Sequence, residues 1–90
     1  MTTGRLMPHW TRKRTWPDDD DAPDDWTVLR DGLVVGRVLW ARSQNRSEKW
    51  LWAVLTLPTH QGHTETMEEG LEKVRRHASE TWGHEPYGDW

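Results

Sequence analysis

The side chains with most chemical potential in this chain are five histidines, a run of aspartates and eight tryptophans. His60-Gln61-Gly62-His63 has a spacing that opens some metal sites. No carboxylate or second histidine pair follows at a spacing that would complete one, so these are expected to be solvated loop histidines. His9, His77 and His84 stand singly. Asp18 to Asp21, with Asp24 and Asp25, could gather a hard cation. The run lacks the alternating oxygen ligands and distal glutamate of a calcium loop, and reads as a solvated acidic tract. Absence of cysteine excludes disulfides, thiolate catalysis and cysteine-ligated zinc. Ser43, Ser47 and Ser79 lie on no nucleophile elbow, and neither Gly32 nor Gly36 precedes a helix start as a phosphate loop requires. The expectation is no enzyme: no catalytic residue, no metal and no cofactor.

Binding chemistry is better represented. Eight Trp accompany one Tyr and no Phe, and Trp and Arg are the residues most enriched where protein interfaces concentrate their energy. What they do depends on the elements that carry them. The chain has 90 residues, enough for one small domain. Mean hydropathy is −1.02, and no apolar run approaches the roughly 20 residues of a spanning helix, so no membrane partner is expected. Formal charge is −3.

Residues 1–25 read as a disordered N-terminal arm, basic and then acidic. Arg5, Arg12, Lys13 and Arg14 give the first sixteen residues +4, and six Asp give the next nine −6. Pro8, Pro17 and Pro23 interrupt it, and little apolar surface repays ordering. The arm lacks the apolar stretch of a signal peptide, which makes a cytoplasmic location the expectation.

Order is expected over residues 26–83. Trp26 to Arg30 is β-branched and aromatic and runs into Asp31-Gly32, the strongest short hairpin signal. A second strand spans Leu33 to Arg42, with Gly36 marking a bulge or a close approach. Ser43 to Glu48 reads as a loop, and a third strand runs from Lys49 to Leu57, stopped by Pro58. Thr59 to His63 reads as flexible. Thr66 then caps a helix with Glu68 and Glu69 in its first turn. Met67, Leu71, Val74 and Ala78 form its apolar stripe, and Gly83 ends it. Residues 84–90 read as a frayed tail. The predicted fold class is α+β: a three-stranded antiparallel β-meander followed by one α-helix packed on one face, β-β-β-α.

A two-residue turn pairs Val28 with Val35 and Trp26 with Arg37, and directly opposed residues share a face. With an even second loop, Leu29, Val34, Gly36, Val38, Trp40, Leu51, Ala53 and Leu55 share the face under the helix. Trp26, Val28, Val35, Arg37, Leu39, Trp50, Trp52 and Val54 then share the other. An odd loop exchanges the places of Trp50 and Trp52. One helix of about 18 residues, about 27 Å long, covers one side only.

The candidate binding face is therefore Trp26, Arg37, Trp50 and Trp52, with a cation–π contact between Arg37 and Trp26. The expected partner is another protein or a second copy in a homodimer. The alternative is nucleic acid, with bases stacked on Trp26, Trp50 and Trp52 and phosphates tracked by Arg37, Arg42, Arg46 and Lys49. In that reading Arg12, Lys13 and Arg14 form a basic clamp. Residues 26–90 carry eight Lys/Arg and nine Asp/Glu, a balance that favours the protein partner.

Asp25-Trp26-Thr27-Val28-Leu29-Arg30-Asp31-Gly32-Leu33-Val34-Val35-Gly36-Arg37-Val38, then Trp50-Leu51-Trp52 and Thr66-Met67-Glu68-Glu69-Gly70-Leu71, carry a resemblance. The chain resembles, over residues 25–78, a group of small uncharacterised bacterial proteins. They share a D-W-x-V-x-x-D-G-x-x-V-G-R-V segment, a W-x-W strand and a T-x-E-E-A helix start. Gly70 stands where that pattern has Ala, a change that weakens a helix by about 1 kcal/mol. The resemblance implies no activity, cofactor or site.

Overall fold

A computed structural model describes residues 8–20, 24–41 and 49–86. Ser43, Ser47, Arg42 and Arg46, with the ends of the arm and tail, lie outside the described residues. Five strands and one helix follow in order: β1 (Trp10–Arg14), β2 (Asp25–Arg30), β3 (Leu33–Ala41), β4 (Lys49–Val54), β5 (His60–Thr64) and α1 (Met67–His77). The strands form one antiparallel sheet in the order β1-β2-β3-β4-β5.

This corrects the three-stranded meander. The additional strands lie at Trp10–Arg14, within the stretch expected to be a disordered arm, and at His60–Thr64, within the stretch expected to be flexible. Neither WTRKR nor HQGHT carries apolar alternation. Each becomes a strand because a neighbour offers an unpaired ladder, a non-local cause that local composition cannot register. Both ends of β1 are tied to β2: the Thr15 amide donates to the Asp25 carbonyl at 2.8 Å, and the Asp31 amide to the His9 carbonyl at 2.8 Å. Asp31 Oδ1 in turn accepts the His9 amide at 2.8 Å.

The Asp31-Gly32 turn forms as its chemistry requires, with φ of 53° and 84°. Arg30 then pairs with Leu33 and Leu29 with Val34, but Val28 pairs with Gly36. Val35 is the extra residue of a β-bulge, and every later pair of β2 and β3 is displaced by one. The second hairpin adds another parity change. Ala41 pairs with Lys49, leaving residues 42–48, an odd number, in the connection, so Trp40 faces Trp50 and Val38 faces Trp52.

Together the two shifts bring Trp26, Val28, Trp50, Trp52 and Val54 to the face that carries Gly36, Val38 and Trp40. Helix α1 packs on that face, over β3, β4 and β5. The core joins Val28, Val35, Val38, Trp52, Val54, Val74 and Ala78, flanked by Trp10, Trp50, Met67 and Leu71. Gly36 lets the helix come close, since a Cβ there would overlap Val74 Cγ1 and lie 2.8 Å from the Ala53 carbonyl oxygen. Gly62 does the same for the Trp52 indole, whose Nε1 would be 2.9 Å from a Cβ at that position.

Thr66 caps α1, its Oγ1 accepting from the Glu69 amide at 3.2 Å, with Glu68 and Glu69 in the first turn. The helix ends at His77 and not near Gly83, because tertiary partners take the chain away. The Ser79 amide donates to Thr56 Oγ1 at 2.8 Å, and Arg30 Nη1 donates to the carbonyls of Ser79 and Trp82. Both Arg30 and Thr56 are buried, and unpaired polar groups at such depth would be costly. Beyond this point the chain bridges back to the sheet at Val34 and His84.

Candidate functional site

The residues expected to form one binding face are divided between two. Trp52 is 7% exposed, lies under α1 and stacks on His77 with ring centroids 5.6 Å apart. Trp50 is half-buried and meets Trp40 edge-on at 5.3 Å. Trp26 shares their side of the sheet but sits beyond the helix's main contacts, half-buried, with Arg12 over its ring at 4.9 Å. Arg37 pairs with Thr27 and Ala53 and therefore points to the opposite face. The contact expected between Arg37 and Trp26 is replaced by Arg12 on Trp26, and by Arg75 over Trp10 at 5.7 Å.

The basic residues Arg12, Lys13 and Arg14 belong to β1. Arg12 and Arg14 pair with Val28 and Trp26 on the helix side, while Lys13 pairs with Thr27 on the outer side. Arg14 Nη2 donates to the Asp19 carbonyl at 3.2 Å, and its Nε is buried with no partner among the described residues.

The outer face carries Asp25, Thr27, Leu29, Val34, Arg37, Leu39, Leu51 and Ala53 by strand alternation. Among the described residues no helix crosses it, yet Thr27 and Leu29 are buried. Between the segment after β1 and the C-terminal segment lies a cleft of about 520 Å³. Its floor includes Thr27, Val34 and Arg37, with Leu55 from just after β4. Thr15 and Trp16 line it from the β1–β2 connection, and His84 and Glu85 from the C-terminal side.

Several polar groups around this cleft bond to one another. Arg37 Nε donates to Asp25 Oδ1 at 2.8 Å, and Arg37 Nη2 pairs with Asp25 Oδ2. The Trp16 indole N–H donates to Asp25 Oδ2 at 3.1 Å. Thr15 and Thr27 hydroxyls share a bond at 2.9 Å, and His84 Nε2 lies 2.8 Å from the Leu55 carbonyl. Burial by itself would raise the Asp25 pKa, but hydrogen bonds from Arg37, Thr15 and Trp16 and the Arg37 charge more than offset it and hold the carboxyl below its usual value. The same hydrogen bond to Asp25 raises the Arg37 pKa.

Asp25 is held ionised and occupied, so it is poorly placed to accept a proton from a substrate. The accessible lining includes Trp16, 51% exposed, and Leu55, 40% exposed, beside the exposed Glu85. By sequence Trp16 and Asp25 fall in the expected arm and His84 in the expected tail. The one local hint was that Asp25, Thr27 and Leu29 alternate with Trp26 and Val28, which separates two faces without saying which is covered.

Among the described residues no group of three or more His, Cys, Asp or Glu is placed to hold a metal ion. No helix in them is long and apolar enough to cross a membrane. No family model matches the chain, and neither a curated protein nor a solved structure matches it.

Proposed function

We propose that this protein is a small non-enzymatic binding module, and that its outer-face cleft receives an apolar side chain of a protein partner, a second copy of the chain included. One observation carries this reading: a solvent-open volume of about 520 Å³ bordered by exposed Trp16 and Leu55, in which Arg37, Asp25 and the Trp16 indole N–H already pair with one another. Volumes of roughly 300–1,000 Å³ with apolar walls and a few fixed polar groups are typical of recognition sites. Leu57 and Trp82, both exposed, add apolar surface to the molecule. The binding role first assigned to Trp50 and Trp52 moves to this face. Base stacking on Trp50 and Trp52 loses its support with it, because Trp52 is buried in the core and Trp50 packs half-buried against it.

The test combines a probe with a mass measurement. Titration with indole, monitored by amide shifts, should move Thr27, Val34 and Leu55 together in the wild type and not in Leu55→Glu. Light scattering across a concentration series should show whether a second copy occupies the cleft, with Leu55→Glu reducing any association. Shifts scattered over the surface, or an unchanged response in Leu55→Glu, would overturn the assignment.

A further inference from the structure

A second surface is independent of the cleft. Strand β1 is an edge of the sheet among the described residues. The bonds at its two ends establish which backbone groups are free: His9 and Thr15 turn theirs toward β2. By alternation Thr11 and Lys13 do likewise, and the N–H and C=O groups of Trp10, Arg12 and Arg14 point away from the sheet. The register from Trp10↔Arg30 to Arg14↔Trp26 is unbroken, with no bulge to turn the edge aside. An unpaired edge of this kind is a template for another strand.

Two features select what pairs with it. The strand presents Arg12, Lys13 and Arg14 in succession, which repels an identical strand from a second copy and attracts carboxylates. The opposite edge, β5, has the sequence HQGHT and offers no comparable charge. In addition, α1 packs over β3, β4 and β5 and leaves a gap above β1. That gap is a cavity of about 280 Å³ whose lining includes Trp10, Arg12, Val28, Leu71 and Arg75. Glu68 and Glu72 form its helical rim, so what fits beside Trp10 is an apolar side chain and not an anionic group, whether carboxylate or phosphate.

We infer that the edge of β1, unpaired among the described residues, binds an extended acidic segment of another protein as an added strand. An apolar residue lies opposite Trp10, and carboxylates lie opposite Arg12 and Lys13. Main-chain bonds at Trp10, Arg12 and Arg14 supply the pairing, and the charges supply the choice.

A blocked peptide Glu-Glu-Glu-Thr-Val is the probe, with Lys-Lys-Lys-Thr-Val and a deoxythymidine oligonucleotide as comparisons. The full chain with the acidic peptide should show slowed amide exchange at Trp10, Arg12 and Arg14, and salt should weaken binding. Arg12→Pro removes an outward N–H while sparing the β1–β2 bonds, and should raise Kd at least about tenfold. Arg12→Glu with Lys13→Glu keeps every backbone donor and should exchange the preference to the lysine peptide. Leu55→Glu should leave this binding unchanged, which separates its failure from that of the cleft. Protection by the oligonucleotide and not by the peptide, unaltered preference in the charge-reversed variant, or shifts confined to the Trp16 and Leu55 region would each overturn it.

Discussion

Trp52→Ala separates a structural indole from a binding one. Trp52 is 7% exposed, with His77 on one side and Gly62 close against the ring. Burying a tryptophan removes roughly 150–250 Å² from water, a gross gain of about 4–6 kcal/mol at about 25 cal/mol per Å². Truncation to alanine in a core costs about 3–5 kcal/mol. The upper part of that range applies here, because Gly62 has no side chain that could collapse into the space. Against a total stability of about 5–15 kcal/mol this is a large fraction. At about 4–8 °C per kcal/mol the melting point should fall by at least about 12 °C. Urea unfolding followed by far-ultraviolet circular dichroism measures the loss without relying on tryptophan emission. Trp52→Phe should give an intermediate loss and keeps the comparison usable if the alanine variant does not fold. A stability change below about 0.5 kcal/mol, the level of ordinary surface substitutions, would mean that the ring is not part of the core.

Further predictions concern acid sensitivity and the helix–sheet contact. The Asp25 carboxyl is held below its usual value, so its contribution is present above the unfolded pKa near 3.8 and is lost as pH falls through the folded value; Asp25→Asn should flatten that part of an acid titration. Desolvation, with His60, Lys73 and Arg76 nearby, lowers the His77 pKa. Neutral His77 therefore favours the fold above its unfolded pKa near 6.5, that contribution is lost as pH falls below it, and His77→Gln should remove this dependence from urea midpoints measured across the range. Gly36→Ala should cost about 1–3 kcal/mol through overlap with Val74, and Val74→Ala in the same chain should recover part of that increment in a double-mutant cycle.

Local signals were legible and reliable where neighbours in the chain decide the outcome. Asp31-Gly32 makes its turn because two positive φ angles are needed there. Thr66 caps α1, and the stripe of Met67, Leu71, Val74 and Ala78 meets the sheet because helical spacing puts them on one side. The sheet was harder to read. Side chains alternate with a period of two, so the single extra residue at Val35 and the odd connection after Ala41 each reverse a strand's inner and outer faces. Those reversals took Trp52 into the core, set Trp50 half-buried against it and left Arg37 outside with Asp25.

The amino-acid order alone therefore determined the turn, the helix start and its apolar stripe, since each depends on groups a few residues apart. Tertiary structure decided that WTRKR and HQGHT are strands, where the helix stops, and which tryptophans are covered. Strand pairing and burial depend on partners distant in the chain, and an edge or a cleft exists only once those partners are in place.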